Sequence, residues 1–184
     1  MVVRVRLFVA VALTDRARAR IADALGTSVP RGLPGRPVRP ENWHITVRFL
    51  GEVGEVERDL VVHALGRAEL GGPFRVRWSG LGAFPRPRRA TVVWLGVDRG
   101  EAELADLALR VEEALEGAGF DPEDRPFRGH LTLSRIRPHQ DVTPVVEGFQ
   151  PLRFEMDVDR LVMYRSHLGR GGARYEVVEE FPLD

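Results

Sequence analysis

The sequence predicts an α+β fold made of two similar lobes. Strand-like and helix-like segments follow one another without the regular βαβ order of a parallel sheet, and the helix-like segments are few. A helix, a proline-marked loop and a strand that begins histidine–apolar–threonine–apolar occur once in each half of the chain. This coarse repeat predicts two lobes related by an approximate twofold axis. Because no change in composition marks a boundary, we expect one two-lobed domain over residues 1–184.

Seven segments have the apolar character of strands. The first also fits a secretory leader, since basic residues and an apolar run precede Ala10-Val11-Ala12. That run is short, however, and Thr14-Asp15 then fits a helix cap, which favours a strand. The segment "TVVWLGV" is almost wholly apolar, which predicts a strand covered on both faces. The predicted strands are 4–12, 43–50, 73–80, 91–97, 130–136, 152–165 and 173–180.

Three segments carry apolar residues at helical spacing. The clearest is 101–116, which Gly117 ends. The other two predicted helices are 14–25 and 55–69. Segments rich in proline and glycine predict the loops 26–42, 84–90 and 121–129.

The charges of the chain balance, with 27 basic and 27 acidic residues. A net charge of zero indicates no general attraction to nucleic acid or to an acidic membrane, so any phosphate contact requires a local cluster. Two clusters are candidates. They are Arg86, Arg88 and Arg89 in "FPRPRRA", and Arg125 and Arg128 in "DRPFRGH".

The absence of lysine and cysteine limits the available chemistry. A chain without lysine cannot form a lysyl-adenylate or a Schiff base, and one without cysteine has no thiol nucleophile. The lack of cysteine also excludes a disulfide framework, which favours a cytoplasmic protein. No apolar run approaches the roughly 18–20 residues that span a bilayer. We expect no cofactor, no membrane partner and a monomer.

Two short motifs carry the candidate chemistry. They are "HITVRFLG", which begins at His44, and "HLTLSRI", which begins at His130. Since side chains alternate along a strand, His44, Thr46 and Arg48 are predicted to share one face of the first strand. The residues predicted to share a face of the second strand are His130, Thr132 and Ser134. Unpaired polar groups are costly to bury, so both faces are expected to line solvent or a cleft.

Two such strands facing a common cleft would place two histidines around one phosphate. A neutral imidazole can then take a proton from water while an imidazolium gives a proton to the departing oxygen. Threonine hydroxyls and an arginine would hold the non-bridging oxygens. One such strand alone is typical of a solvent-exposed surface, whereas two in equivalent places favour a paired site. A metal site is disfavoured, because these faces supply no carboxylate and His63, in a predicted helix, has no ligand partner one turn away. His139 and His167 lie in predicted loops, where we expect them to be solvated.

The two motifs together resemble those of the two-histidine phosphoesterase superfamily, and more narrowly of the bacterial and archaeal RNA 2′,3′-cyclic phosphodiesterases, formerly called 2′–5′ RNA ligases. "RLFVAVAL", "ATVVWLGV" and "LVMYRSHLGRGGARYEVVEEFPL" are similar to other segments of that family. The resemblance implies two antiparallel-rich sheets that line a central cleft, with helices outside. It implies metal-independent hydrolysis of an RNA-terminal 2′,3′-cyclic phosphate to a 2′-phosphomonoester. His44 would be the proton donor and His130 the proton acceptor, while Thr46, Thr132 and Arg128 would bind the phosphate.

Three alternatives stay open at this point. The substrate is either an RNA end or a small cyclic or 2′–5′-linked nucleotide, and a non-catalytic RNA- or nucleotide-binding protein would also keep the cleft. Without lysine, end joining requires reversal of the two-histidine reaction, which uses the energy of the cyclic phosphate. The sequence does not determine whether Trp43, Phe84 or Phe127 stacks on a base.

Overall fold

The secondary structure confirms the α+β class. The computed structural model describes residues 4–169 and 172–184. Its strands are β1 Val5–Ala12, β2 Arg36–Pro37, β3 His44–Val53, β4 Phe74–Phe84, β5 Ala90–Arg99, β6 His130–Gln140, β7 Glu155–Val158, β8 Arg160–Gly169 and β9 Gly172–Pro182. Its helices are α1 Asp15–Ser28, α2 Glu55–Arg67, α3 Glu101–Gly117 and α4 Thr143–Gly148. None of these helices has both the length and the apolar character needed to cross a membrane.

The strands form one antiparallel sheet in the order β7-β4-β5-β6-β3-β1-β8-β9, with β2 paired to β6. The two sheets implied by the family resemblance are therefore halves of a continuous sheet. They meet at β3 and β6 through one registered pair, Ile45 with Leu131. The order β1-α1-β3-α2 in one half corresponds to β5-α3-β6-α4 in the other, which agrees with the predicted approximate twofold repeat. That the chain is a single domain stays a prediction.

The sheet is strongly curled, because the connection between β7 and β8 is too short for a flat sheet. Only Asp159 separates β7 from β8, although β7 lies at one edge of the sheet and β8 in the opposite half. A single residue cannot span a flat sheet of this width, because neighbouring strands lie about 4.8 Å apart. The predicted strand 152–165 is accordingly divided at this residue. A short helix, α4, occupies Thr143–Gly148, where the sequence analysis predicts no element.

The core lies between the helices and one face of the sheet. Thr14 caps α1 by accepting a hydrogen bond from the backbone N–H of Ala17 at 3.2 Å, as the sequence predicts. On α3, the buried residues are Leu104, Leu107, Ala108, Val111 and Leu115, the face expected from their spacing. The prediction that β5 is covered on both faces is wrong. Val93 and Leu95 are buried in the core, whereas Val92 lines a cleft on the other side of the sheet.

The seam between the two halves of the sheet gives a direct test of the fold. Leu131 is fully buried there, and replacing it with alanine should lower the free energy of unfolding by about 2–5 kcal/mol, because the lost side chain leaves a cavity. Leu109 on α3 is 57 % exposed, so Leu109→Ala should change it by less than about 0.5 kcal/mol. Urea unfolding of both variants measures the difference, and equal stabilities would contradict this packing.

Candidate active site

A cleft of about 850 Å³ lies on the concave side of the sheet and is lined by residues of both halves. All five side chains that the sequence analysis selects lie on its walls. They are His44, Thr46, Arg128, His130 and Thr132. The structure therefore brings the two motifs into a common space, while the chemical roles of these residues stay predictions.

The strand register arranges the four motif side chains as a square. Since Ile45 pairs with Leu131 in an antiparallel ladder, His44 lies beside the second threonine and Thr46 beside His130. The two histidines thus stand at diagonally opposite corners, and a threonine stands at each of the other two. A group bound at the centre would contact one imidazole from each side.

The ring of His44 is held by two hydrogen bonds. Its Nδ1 donates to the backbone carbonyl of Asn42 at 2.8 Å, since a carbonyl can only accept. Its Nε2 is then unprotonated in the neutral ring and accepts from the hydroxyl of Thr46 at 3.0 Å. The pKa of His44 is lowered to about 4, mainly by burial and also by the charge of Arg135 and the nearby ring of His130, against the opposing effect of the Asn42 bond.

His130 is held in the equivalent way. Its Nδ1 donates to the carbonyl of Arg128 at 2.7 Å, two residues before the histidine as in the first motif. Burial lowers the pKa of His130 below its ordinary value of 6.5, and the charges of Arg135 and Arg128 add to this, while the carbonyl bond opposes it. In both motifs the carbonyl bond occupies Nδ1, so Nε2 is the nitrogen that can act in the cleft.

Aromatic rings desolvate both histidines. The ring of His44 lies 4.8 Å from that of Phe8 and meets Tyr175 edge-on at 5.3 Å. The ring of His130 lies edge-on to Phe84 at 5.1 Å, with Trp94 at 6.1 Å. These contacts explain why burial is the main cause of both lowered pKa values.

A β-bulge after each threonine reverses the alternation of side chains. On β1, Val9 and Ala10 are neighbours, yet they pair with Arg48 and Thr46, so β3 carries one extra residue between them. A matching shift on β5 leaves one extra residue between Thr132 and Ser134. The prediction that Arg48 and Ser134 face the cleft is therefore wrong. Both side chains turn towards the interior of the protein.

The same bulges bring two residues into the cleft that the sequence analysis misses. Phe49 and Arg135 each lie five positions after their histidine, and both line the cleft. Phe49 is 46 % exposed, which is high for a phenylalanine. No feature of these two residues in the sequence indicates a bulge, since the bulge depends on the partner strand.

The cleft is basic although the chain is neutral. Four arginines line it, namely Arg6, Arg125, Arg128 and Arg135, and no acidic side chain does among the described residues. Of the two predicted phosphate clusters, Arg125 and Arg128 belong to the cleft. The other cluster, Arg86, Arg88 and Arg89, is solvent-exposed and does not line it. The positive charge of the cleft therefore comes from arginines gathered there, since the net charge of the chain is zero.

Of the aromatic residues considered for stacking on a base and the three other histidines, one lines the cleft. Phe84 lines the cleft, whereas Trp43 is buried and Phe127 packs against the core. His63 and His139 are exposed away from the cleft, and His167 lies 2.7 Å from a carboxylate oxygen of Glu176. Within residues 4–169 and 172–184, no three histidine or acidic side chains are grouped closely enough to hold a metal ion.

Comparison with known proteins gives consistent matches along the chain. The family model of the 2′-5′ RNA ligase superfamily matches residues 14–170. An RNA 2′,3′-cyclic phosphodiesterase of Archaeoglobus fulgidus is 37% identical over 179 residues, which cover 96% of this chain and 99% of that protein. A protein of the same name from Aeropyrum pernix is 35% identical over 166 residues, or 88% and 92% of the two chains. The crystal structure of E. coli LigT in its apo form aligns with a TM-score of 0.79 and 29% identity over 97% of each chain.

The lowered pKa of His44 predicts a pH dependence of stability. Between pH 6.5 and about 4 the unfolded chain binds a proton that the folded His44 does not, so stability falls as the pH falls through this window. Over this window His44 should contribute a loss of about 3 kcal/mol in the free energy of unfolding. The free energy of unfolding of His44→Gln, measured with urea, should therefore fall by about that much less than the wild-type value between pH 7 and pH 4. An equal loss in the two proteins would contradict a neutral, buried ring.

Proposed function

The chain belongs to the 2′-5′ RNA ligase superfamily, and on that basis we propose that it hydrolyses the 2′,3′-cyclic phosphate at an RNA end to a 2′-phosphomonoester. The observation that carries the proposal is the diagonal placement of His44 and His130 in one basic cleft. This placement suits in-line displacement at phosphorus, in which the attacking and leaving oxygens occupy opposite sides.

Each histidine has one proton transfer to perform. As the water oxygen bonds to phosphorus, the bond from phosphorus to the 3′-oxygen breaks. His130 takes a proton from the water through Nε2, and His44 gives the proton on its Nε2 to the 3′-oxygen. The choice of His44 as donor follows the family resemblance, because the two corners of the square are nearly equivalent. Each such transfer typically contributes about 10²–10⁴ to the rate.

The other side chains of the cleft stabilise the charge of the phosphate. Thr46 and Thr132 stand between the histidines and can donate their hydroxyl protons to the non-bridging oxygens. Arg128 and Arg135 supply positive charge to the cleft. Their attraction to the phosphate becomes stronger when water is excluded. Since binding an anion also favours the charged form of a nearby imidazole, substrate binding would restore the proton that His44 needs.

Arg36 favours an RNA end over a small nucleotide as the substrate. It pairs with Arg135 across β2 and β6, and paired residues of an antiparallel ladder point to the same side of the sheet. Arg36 is exposed and lies just outside the residues that line the cleft. A mononucleotide has no second phosphate to reach it, whereas an oligonucleotide does. Small cyclic or 2′–5′-linked nucleotides are the second candidate substrate class.

The paired proton-transfer groups argue against a protein that only binds RNA, because binding does not require two buried imidazoles. Joining of ends is available only if a 5′-hydroxyl replaces water as the nucleophile at the cyclic phosphate: its oxygen bonds to phosphorus, the 3′-oxygen leaves, and a 2′–5′ linkage results. Water at its bulk concentration favours hydrolysis. The absence of cysteine supports a cytoplasmic location.

Single substitutions of the two histidines test the mechanism. His44→Ala and His130→Ala should each lower turnover of a nucleoside 2′,3′-cyclic phosphate by at least about 10²-fold, since each removes one proton transfer. Affinity for the 2′-monophosphate product, measured by calorimetry, should stay close to that of the wild type. Wild-type turnover should persist in a chelator, and phosphorus NMR should identify the 2′-phosphate isomer.

His139→Ala is the matched control, because His139 is exposed and lies outside the cleft. It should retain wild-type turnover. Full activity in either cleft variant would overturn the acid–base assignment, and a 3′-phosphate product would overturn the choice of leaving group.

Arg36 provides the test between RNA and small nucleotides. Arg36→Gln should raise KM for an oligonucleotide ending in a 2′,3′-cyclic phosphate several times more than for a nucleoside 2′,3′-cyclic phosphate. The slope of log affinity for the oligonucleotide against log salt should decrease by about 0.7, the value for one phosphate contact on a single strand. Arg67→Gln, which changes an exposed arginine on α2, is the control. Equal effects on the two substrates would favour a small-nucleotide enzyme.

A further inference from the structure

Two side chains that the bulges turn away from the cleft occupy equivalent places in the two motifs. Arg48 lies four residues after His44, and Ser134 lies four residues after His130. Neither contacts the cleft. Each instead reaches a loop that precedes a histidine motif. We call residues 29–43, between α1 and β3 and including the short strand β2, the first loop, and residues 118–129, between α3 and β6, the second loop.

Arg48 binds the second loop through a nearly buried network. Its side chain is only 12% exposed, and its Nη1 lies 3.2 Å from a carboxylate oxygen of Glu123. Its Nη2 donates to the carbonyl of Asp121. Its Nε pairs with a carboxylate oxygen of Glu112 on α3 at 2.9 Å, and the other oxygen of Glu112 accepts from the Glu123 backbone N–H at 2.6 Å. The start of the second loop is thus tied to β3, the strand of the first motif.

Ser134 binds the first loop. Among the described residues it is the one polar side chain that is fully buried, and its hydroxyl donates to the carbonyl of Pro34 at 2.5 Å. The next residue, Gly35, has φ +84°, and a Cβ there would lie 2.5 Å from the carbonyl oxygen of Arg135. Only glycine permits this approach of the loop to β6. The first loop is thus tied to the strand of the second motif.

These contacts cross between the two motifs. In each motif, the carbonyl that accepts the Nδ1–H bond of the histidine lies two residues before it, in the loop that is held. The second loop also carries Arg125 and Arg128 to the cleft, and the first carries Arg36 beside Arg135. The carbonyl that binds each histidine ring thus belongs to a loop that is held by the strand of the other motif.

We propose that Arg48 and Ser134 are reciprocal positioning residues: Arg48, on the strand of His44, orients His130, and Ser134, on the strand of His130, orients His44. The kinetic consequence rests on the proposed function, whereas the orientation of the rings does not. A misplacement of about 1 Å at a reacting group can lower a rate by as much as about 10²-fold, so such support is expected to matter for turnover.

The chemical shifts of the histidine ring nitrogens in the unliganded protein test whether each residue orients the histidine of the other motif. At about pH 8 both rings are neutral, since both pKa values are lowered, and the shifts report which nitrogen carries the proton. Arg48→Gln should move the ring signals of His130 towards a mixture of tautomers and leave those of His44 unchanged. Ser134→Ala should do the reverse.

Two substitutions in the loops themselves test the same contacts in case Arg48→Gln or Ser134→Ala disturbs the fold. Glu123→Ala removes an exposed partner and leaves Arg48 paired with Glu112 and bonded to the carbonyl of Asp121. Because these contacts remain, it should shift the ring signals of His130 in the same direction as Arg48→Gln but by a smaller amount. Gly35→Ala pushes the first loop from β6 and should repeat the effect of Ser134→Ala on His44.

Arg160→Gln is the matched control. Arg160 also bridges two carboxylates, those of Asp159 and Glu180, but it does so on an exposed part of the sheet outside the cleft. Neither histidine should respond to this change. An effect of each variant on the histidine of its own strand, equal effects on both rings, or no effect on either would overturn the proposal.

Kinetics separate this proposal from the proposed function. With a nucleoside 2′,3′-cyclic phosphate, kcat should fall at least about tenfold in Arg48→Gln and in Ser134→Ala, within the range for a misplaced reacting group. If the wild type turns over neither this substrate nor an oligonucleotide ending in a 2′,3′-cyclic phosphate, the proposed function fails, and the ring-nitrogen shifts still decide whether each residue orients the histidine of the other motif. Unchanged kcat together with crossed shifts would overturn only the kinetic part.

Discussion

The site depends on the pairing of Ile45 with Leu131 across the seam of the sheet. Both side chains are fully buried in the core. A slip of one residue in this register would move every side chain of the strand to the opposite face, which would expose apolar groups and bury polar ones. The hydrophobic face of the seam therefore fixes the polar face. The diagonal arrangement of His44 and His130 is a consequence of packing on the other side of the sheet.

The part of the site that the sequence predicts is the part that obeys simple alternation. His44 and Thr46 share a face because they are two residues apart on a regular strand, and the second motif repeats this. The prediction fails at the next position on that face, where Arg48 turns inwards. A bulge is a property of two paired strands, and a single sequence does not contain the partner's register. Arg135 is missed for the same reason.

The errors in the secondary structure also have long-range causes. The apolar pattern of 152–165 predicts one strand, but the chain must leave one half of the sheet and enter the other, so it breaks at Asp159. α4 has only six residues, too few to produce a helical pattern. The helix α3 is predicted almost to the residue, because its spacing reflects a local amphipathic face. Elements set by local periodicity were predictable, and those set by the path of the sheet were not.

Apart from histidine, every basic side chain of the protein is an arginine, and this limits which groups can take up protons when a ligand binds. Among the described residues, the cleft lining contains no carboxylate, ammonium or thiol group. Arginine keeps its charge at any pH that the protein encounters. Between about pH 4 and 8, the imidazoles are thus the groups of the cleft that exchange protons with the solvent. An anion that enters the cleft draws protons from the buffer, and the heat of binding will vary with the ionisation enthalpy of that buffer in proportion to the number taken up.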